Sequence, residues 1–168
     1  HNVPLVLLGA ALLWFGWFGF NAGAEFLAEG MPGVGLIVVN TLGATAAAIL
    51  GWMLVEKLKD GKATAVGAAS GAVTGLVAIT PACANLTPGF ALLLGVVAGS
   101  VSALAVDLKY KLGYDDSLDV VGIHLVGGLI GTLYLGFFAT DTGLFTGGDL
   151  GQLTVQAIAA AAVLIYSF

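Results

Sequence analysis

Five charge-free apolar stretches leave this chain little choice of fold: Val3 to Ala24, Val34 to Val55, Ala63 to Val106, Val120 to Thr140 and Leu150 to Phe168. The third is interrupted between Pro81 and Pro88, so the stretches resolve into six segments. Each is close to the roughly 20 residues a helix needs to cross about 30 Å of hydrocarbon. Alternation of polar and apolar residues is missing, and a barrel would need many more segments with polar inward faces. The expectation is an all-α, polytopic transmembrane helix bundle. It forms a single membrane domain over 1-168, with helices at about 3-27, 34-57, 63-83, 88-108, 119-140 and 150-168.

Composition agrees, with 59% hydrophobic and 9% charged residues and a mean hydropathy of +1.04, far outside the soluble norm. The connections are short and rich in helix breakers, so consecutive helices are antiparallel neighbours. All five basic residues are lysines, Lys57, Lys59, Lys62, Lys109 and Lys111, and all stand beside the second and fourth connections. The positive-inside rule puts those connections in the cytoplasm, with His1 and Phe168 on the same side. Five lysines and no arginine are too few to hold a nucleic-acid backbone. The lone Cys83 excludes an internal disulfide. No signal peptide precedes the first segment, and no polar tail follows the last, so the natural protein is expected to continue.

Glycines recur at four-residue spacing: Gly67, Gly71 and Gly75, then Gly95 and Gly99, then Gly127 and Gly131. In lipid such spacing lets helix backbones approach closely. These residues report packing and carry no chemistry.

Polar groups at membrane depth are costly and carry the functional information. Asp119 stands where the fifth helix is expected to begin, and taken alone reads as an N-cap for free first-turn amides. His124 follows five residues later, roughly 7 to 8 Å further along an α-helix. A neutral ring is expected there, one nitrogen donating and the other accepting. No Cys/His/Asp cluster accompanies it to hold a metal, and no cofactor is implied. In the first segment Leu13, Trp17, Phe20 and Ala24 share one helical face. The rings could be an interfacial belt, or a water-excluding gate with a cation-attracting surface. Asn21, beside them, needs hydrogen-bond partners. Asn40, Thr41, Thr45, Ser70, Thr74 and Thr80 read mostly as hydrogen bonds across helices or to backbone carbonyls. Thr80-Pro81 marks the point where the third helix ends or breaks.

Three runs, in order and at matching spacing, resemble the ammonium transporter (Amt/Mep/Rh) family. They are Gly16-Trp17-Phe18-Gly19-Phe20-Asn21-Ala22-Gly23, Gly67 to Gly71 continuing through Gly75 to Thr80-Pro81, and Gly113-Tyr114-Asp115-Asp116-Ser117-Leu118-Asp119-Val120 with His124. The resemblance implies the second inverted repeat of an eleven-helix fold, a homotrimer, and a narrow apolar pore in each subunit carrying ammonium or ammonia across a cell membrane. It makes His124 one of two pore histidines, Phe20 a ring of the phenylalanine gate and Trp17 a pore-wall residue. Ser70, Thr80, Asp119 and Val120 fall at positions around the pore and its cytoplasmic vestibule. The family commonly has serine, which helps receive ammonium, where this chain has Ala24; Glu25 is one helical position, about 100°, away from that role. A cytoplasmic nitrogen-regulatory protein is the implied partner besides lipid. An ammonium sensor on the same fold and a structural membrane module are the rivals. An enzyme is the poorest match, because no paired acids, Ser/Lys pair or ligand set is present.

Overall fold

Lipid cannot hydrogen-bond a peptide group, so each apolar segment closes its own backbone ladder, and every spanning element is a helix. The computed structural model describes residues 2–167, so the expected sidedness of His1 and Phe168 lies outside the described residues. The elements are α1 (Val3–Glu29), α2 (Val34–Asp60), α3 (Ala65–Ile79), a 3-10 turn (Thr80–Ala82), α4 (Pro88–Ala105) and the short α5 (Leu108–Leu112). A π-helical turn (Val121–Leu125) then leads into α6 (Val126–Phe138), and α7 (Leu150–Ser167) follows. Six of these stretches are long and apolar enough to cross a membrane.

Helix boundaries follow local chemistry. Asn2 accepts from the Leu5 amide at the start of α1, and Thr64 accepts from the Gly67 amide at the start of α3. Left-handed Gly61 and Gly113 end α2 and α5, as expected of residues without a Cβ. The fourth crossing is less regular than its composition suggests: α4 stops at Ala105, and the lysine-bearing α5 is a separate turn.

The centre of the bundle is α2, packed between α3 and α4. Its Ala44 and Ala48 are fully buried. A Cβ on Gly75 of α3 would lie 2.7 Å from Thr45 Cα, and one on Gly99 of α4 would lie 2.9 Å from Ala48 Cα. Both are closer than carbon atoms can approach, so these helices touch backbone to backbone on either side of α2. Gly131 of α6 approaches Ala78 of α3 in the same way. Gly127 does not share that role despite the spacing: a Cβ there would meet Thr74 Cγ2 at an ordinary 3.6 Å.

The connections cluster at two ends. Lys59, near the second connection, pairs with Asp107, ahead of the fourth. At the other end the Thr140 amide donates to Asn85 O at 2.8 Å, joining the fifth connection to the third. Gly99→Val should force α4 off α2 and cost about 1–3 kcal/mol or prevent assembly. Gly89→Ala, where a Cβ meets nothing within 4 Å, should leave thermal unfolding in detergent unchanged or slightly raised.

Candidate functional site

The break after α3 is held from α2. Fully buried Asn40 donates through Nδ2 to Cys83 O at 2.8 Å and Leu86 O at 2.7 Å, satisfying carbonyls that the interrupted helix leaves without partners. Thr80 opens this turn. Its hydroxyl donates to Leu76 O at 2.7 Å and accepts the Trp17 indole N–H at 2.7 Å. The Trp17 ring in turn lies against Phe20, centroids 5.7 Å apart and planes tilted by 55°. A polar group at the broken helix thus fixes an aromatic wall on α1. One turn further on, buried Asn21 donates to Thr41 Oγ1 at 3.1 Å, anchoring α1 on α2.

Phe20, Asn21, Ala24 and Thr80 border one cavity of about 390 Å³. Glu25 borders it too, which its helical position did not suggest, although its carboxylate is turned against Gly33 at the start of α2. Thr80 also borders a second cavity of about 380 Å³, walled by Val77, Leu129 and Val163 and reaching His124. His124 in turn borders a third cavity of about 340 Å³, together with Leu13, Ser70, Val73 and Ile123. Thr80 is common to the first two cavities and His124 to the last two, so the three form a broken groove: the first against α1 and α2, the second between α3, α6 and α7, the third between α1, α3 and the start of the fifth crossing. The middle stretch is almost wholly apolar. The imidazole is exposed to this groove and has no hydrogen-bond partner among the described residues. Leu118, Val73 and Ile123 also border the groove; nothing in their residue types distinguishes them from packing residues. Asp119 and Val120 border none of the three cavities.

Local structure around His124 departs from the expected α-helix. Asp119 is not the cap and is not yet helical: its φ is 57°, in the left-handed region, a conformation that costs an L-residue roughly 1–2 kcal/mol. Asp116 does the capping instead, its two carboxylate oxygens accepting from the Val120 and Val121 amides at 2.7 and 2.8 Å. Both aspartates are near the helix start in sequence, and the left-handed turn between them decides which one faces the free amides. The Asp119 carboxylate is taken by Lys109 Nζ at 2.5 Å, and the same ammonium donates to Asp116 O at 3.0 Å. The π turn then carries His124; such wide turns recur at functional positions.

Helices this long and apolar, joined by short polar turns, make the chain a multi-pass integral membrane protein. A family model described as the Ammonium Transporter Family matches residues 1–168. An ammonium transporter of Mycobacterium tuberculosis is 56% identical over 99% of this chain and 37% of its own length, and one of Bacillus subtilis is 44% identical over 100% and 43%. Among solved structures, Saccharomyces cerevisiae Mep2 matches with a TM-score of 0.84 at 37% identity, covering 96% of this chain and 42% of that one. A chain described as Sensor Amt Protein matches with a TM-score of 0.91 at 34% identity, covering 100% and 42%. The chain belongs to the Ammonium Transporter Family and folds as a part of the Amt/Mep architecture. It spans about two fifths of the length of these relatives.

The capping assignment is open to direct measurement. Asp116→Ala should cost about 1–2 kcal/mol in thermal unfolding, because two amides lose their acceptor, while Asp116→Asn, with one acceptor oxygen left, should lose about half as much.

Proposed function

We propose that the protein carrying this chain conducts ammonium, as ammonia over the apolar stretch, along the groove bordered by Phe20, Thr80, His124 and Ser70. The supporting observation is the imidazole of His124, open to a groove whose middle stretch is almost wholly apolar and whose bordering Thr80 accepts the Trp17 indole N–H. An ion pays several kcal/mol to leave water for such a path, whereas the neutral molecule pays little. Charge alone cannot select ammonium from potassium, since the two are similar in size. Removing the proton can, because potassium has none to lose.

In this reading the cation is received at the end of the groove near Ala24, outside the Phe20 ring, with aromatic side chains supplied by the rest of the protein. There the cation gives its proton to water at the open end, and the neutral molecule passes the Phe20 ring and the Trp17 wall. His124, with one donor and one acceptor nitrogen, passes ammonia or its proton onward together with a second histidine supplied by the rest of the protein. Release follows toward Ser70, Asp119 and Val120. With alanine at position 24 the receiving end lacks a hydroxyl, so recruitment rests on the aromatic faces. A homotrimer and a cytoplasmic nitrogen-regulatory partner belong to the same reading and rest on family resemblance.

Likeness to the sensor chain along the whole of this one favours a second reading, in which ammonium occupies the same groove and flux is secondary. Ammonium-evoked current in liposomes holding the complete protein separates the two. His124→Ala should change the rate or ammonium selectivity by about tenfold while assembly by size exclusion is unaltered. Unchanged current would remove His124 from the pathway. Absence of current in well-assembled protein that still binds ammonium would select the sensor.

A further inference from the structure

We propose that Lys109, which borders none of the groove cavities, is a positioning residue for His124: its ammonium clamps the left-handed turn from which the π-helical segment starts, and so sets where the imidazole stands. The inference rests on the reading of His124 as a pathway residue.

Asp119 is one of two non-glycine residues with positive φ among those described. Such a backbone persists only where its surroundings hold it. What holds it is Lys109, whose Nζ bonds Asp119 Oδ1 at 2.5 Å and Asp116 O at 3.0 Å, bridging the two sides of the turn. The start of the helix hangs from those same two aspartates. The Val120 and Val121 amides bond the Asp116 carboxylate, and the Ile123 amide bonds Asp119 O at 2.9 Å. His124 is the next residue. The Lys109 side chain is only 14% exposed, and its ammonium is committed to these partners. Its own helix, α5, has no buried residue to fix it by packing. It is tethered instead at the preceding Asp107, which Lys59 of α2 holds. A series of ionic contacts thus runs from the central helix to the turn before His124, at one end of the bundle and outside the groove.

A double-mutant cycle tests this in the complete protein reconstituted in liposomes. Lys109→Met should lower the maximal ammonium current about 5- to 20-fold and leave the half-saturating concentration within about twofold, because the receiving end near Phe20 is untouched. Lys109→Arg, which keeps two donors for Asp119 and Asp116, should restore at least about half of the current. In an Asp119→Gly background, where glycine takes the left-handed φ unaided, Lys109→Met should add less than about a twofold loss. An equal loss in both backgrounds would overturn the proposal and assign Lys109 a direct effect of its charge.

Amide hydrogen exchange supplies a readout that needs no transport. Residues 120–125 should exchange faster in Lys109→Met and in the milder Lys109→Gln, return to the parent rate in Lys109→Arg, and leave α3 unaffected. Unchanged exchange over 120–125 in both variants would sink the inference. A parent protein that carries no current would instead refute the conduction reading, with the exchange experiment still deciding the role of Lys109.

Discussion

Close backbone contact on both sides of α2 is the constraint from which the remaining geometry follows. Without a hydrophobic driving force between helices in lipid, association depends on how closely they can approach. Ala44 and Ala48 present a nearly flat surface, and Gly75 of α3 and Gly99 of α4 press on it from either side. That spacing brings Asn40 within reach of Cys83 O and Leu86 O across the α3 break. A wider separation would leave those two carbonyls without donors in a medium that offers none.

From this three-helix centre the groove is assembled by a few directed bonds. Thr80 is placed by the break that Asn40 secures, Trp17 by Thr80, and Phe20 by contact with Trp17. Asn21 fixes the same stretch of α1 on Thr41. The aromatic wall is therefore tied to the packing core at two points less than two turns apart, although α1 itself buries few residues. At the other end carboxylate caps and an ion pair at the edge of the bundle add to packing, since Gly122 lies against the Val106 backbone and Ile123 against Trp52 and Ala103. One end of the groove is fixed through the core alone and the other through the core and an ionic border together.

Much of the fold was legible because transmembrane segments announce themselves by length and lack of charge, and Thr80-Pro81 marked the broken helix through proline chemistry. Glycine spacing was legible as close packing, yet it named Gly127 together with Gly131, since spacing alone does not tell how near the neighbouring backbone comes along one face. The meeting of Trp17 with Thr80 joins residues 63 positions apart, and no local pattern encodes it. Sequence position favours Asp119 over Asp116 as the cap because the distinction rests on a single backbone angle. The π turn was invisible for a related reason: its residues, Val121-Gly122-Ile123-His124-Leu125, have the composition of any apolar helix.

That wide turn has a geometric consequence for the helix beyond it. A π turn holds about one residue more than an α turn, which is about 100° of rotation. The fifth crossing therefore carries two phases. From Val126 onward its small residues face α3, where Gly131 sits on Ala78, while the residues before Val126 are turned relative to that stripe. The packing face of α6 and the direction of the imidazole therefore differ by that offset within one continuous helix. A fixed offset thus lets the small residues of α6 meet α3 while His124 stays turned to the groove, so long as the extra residue stays.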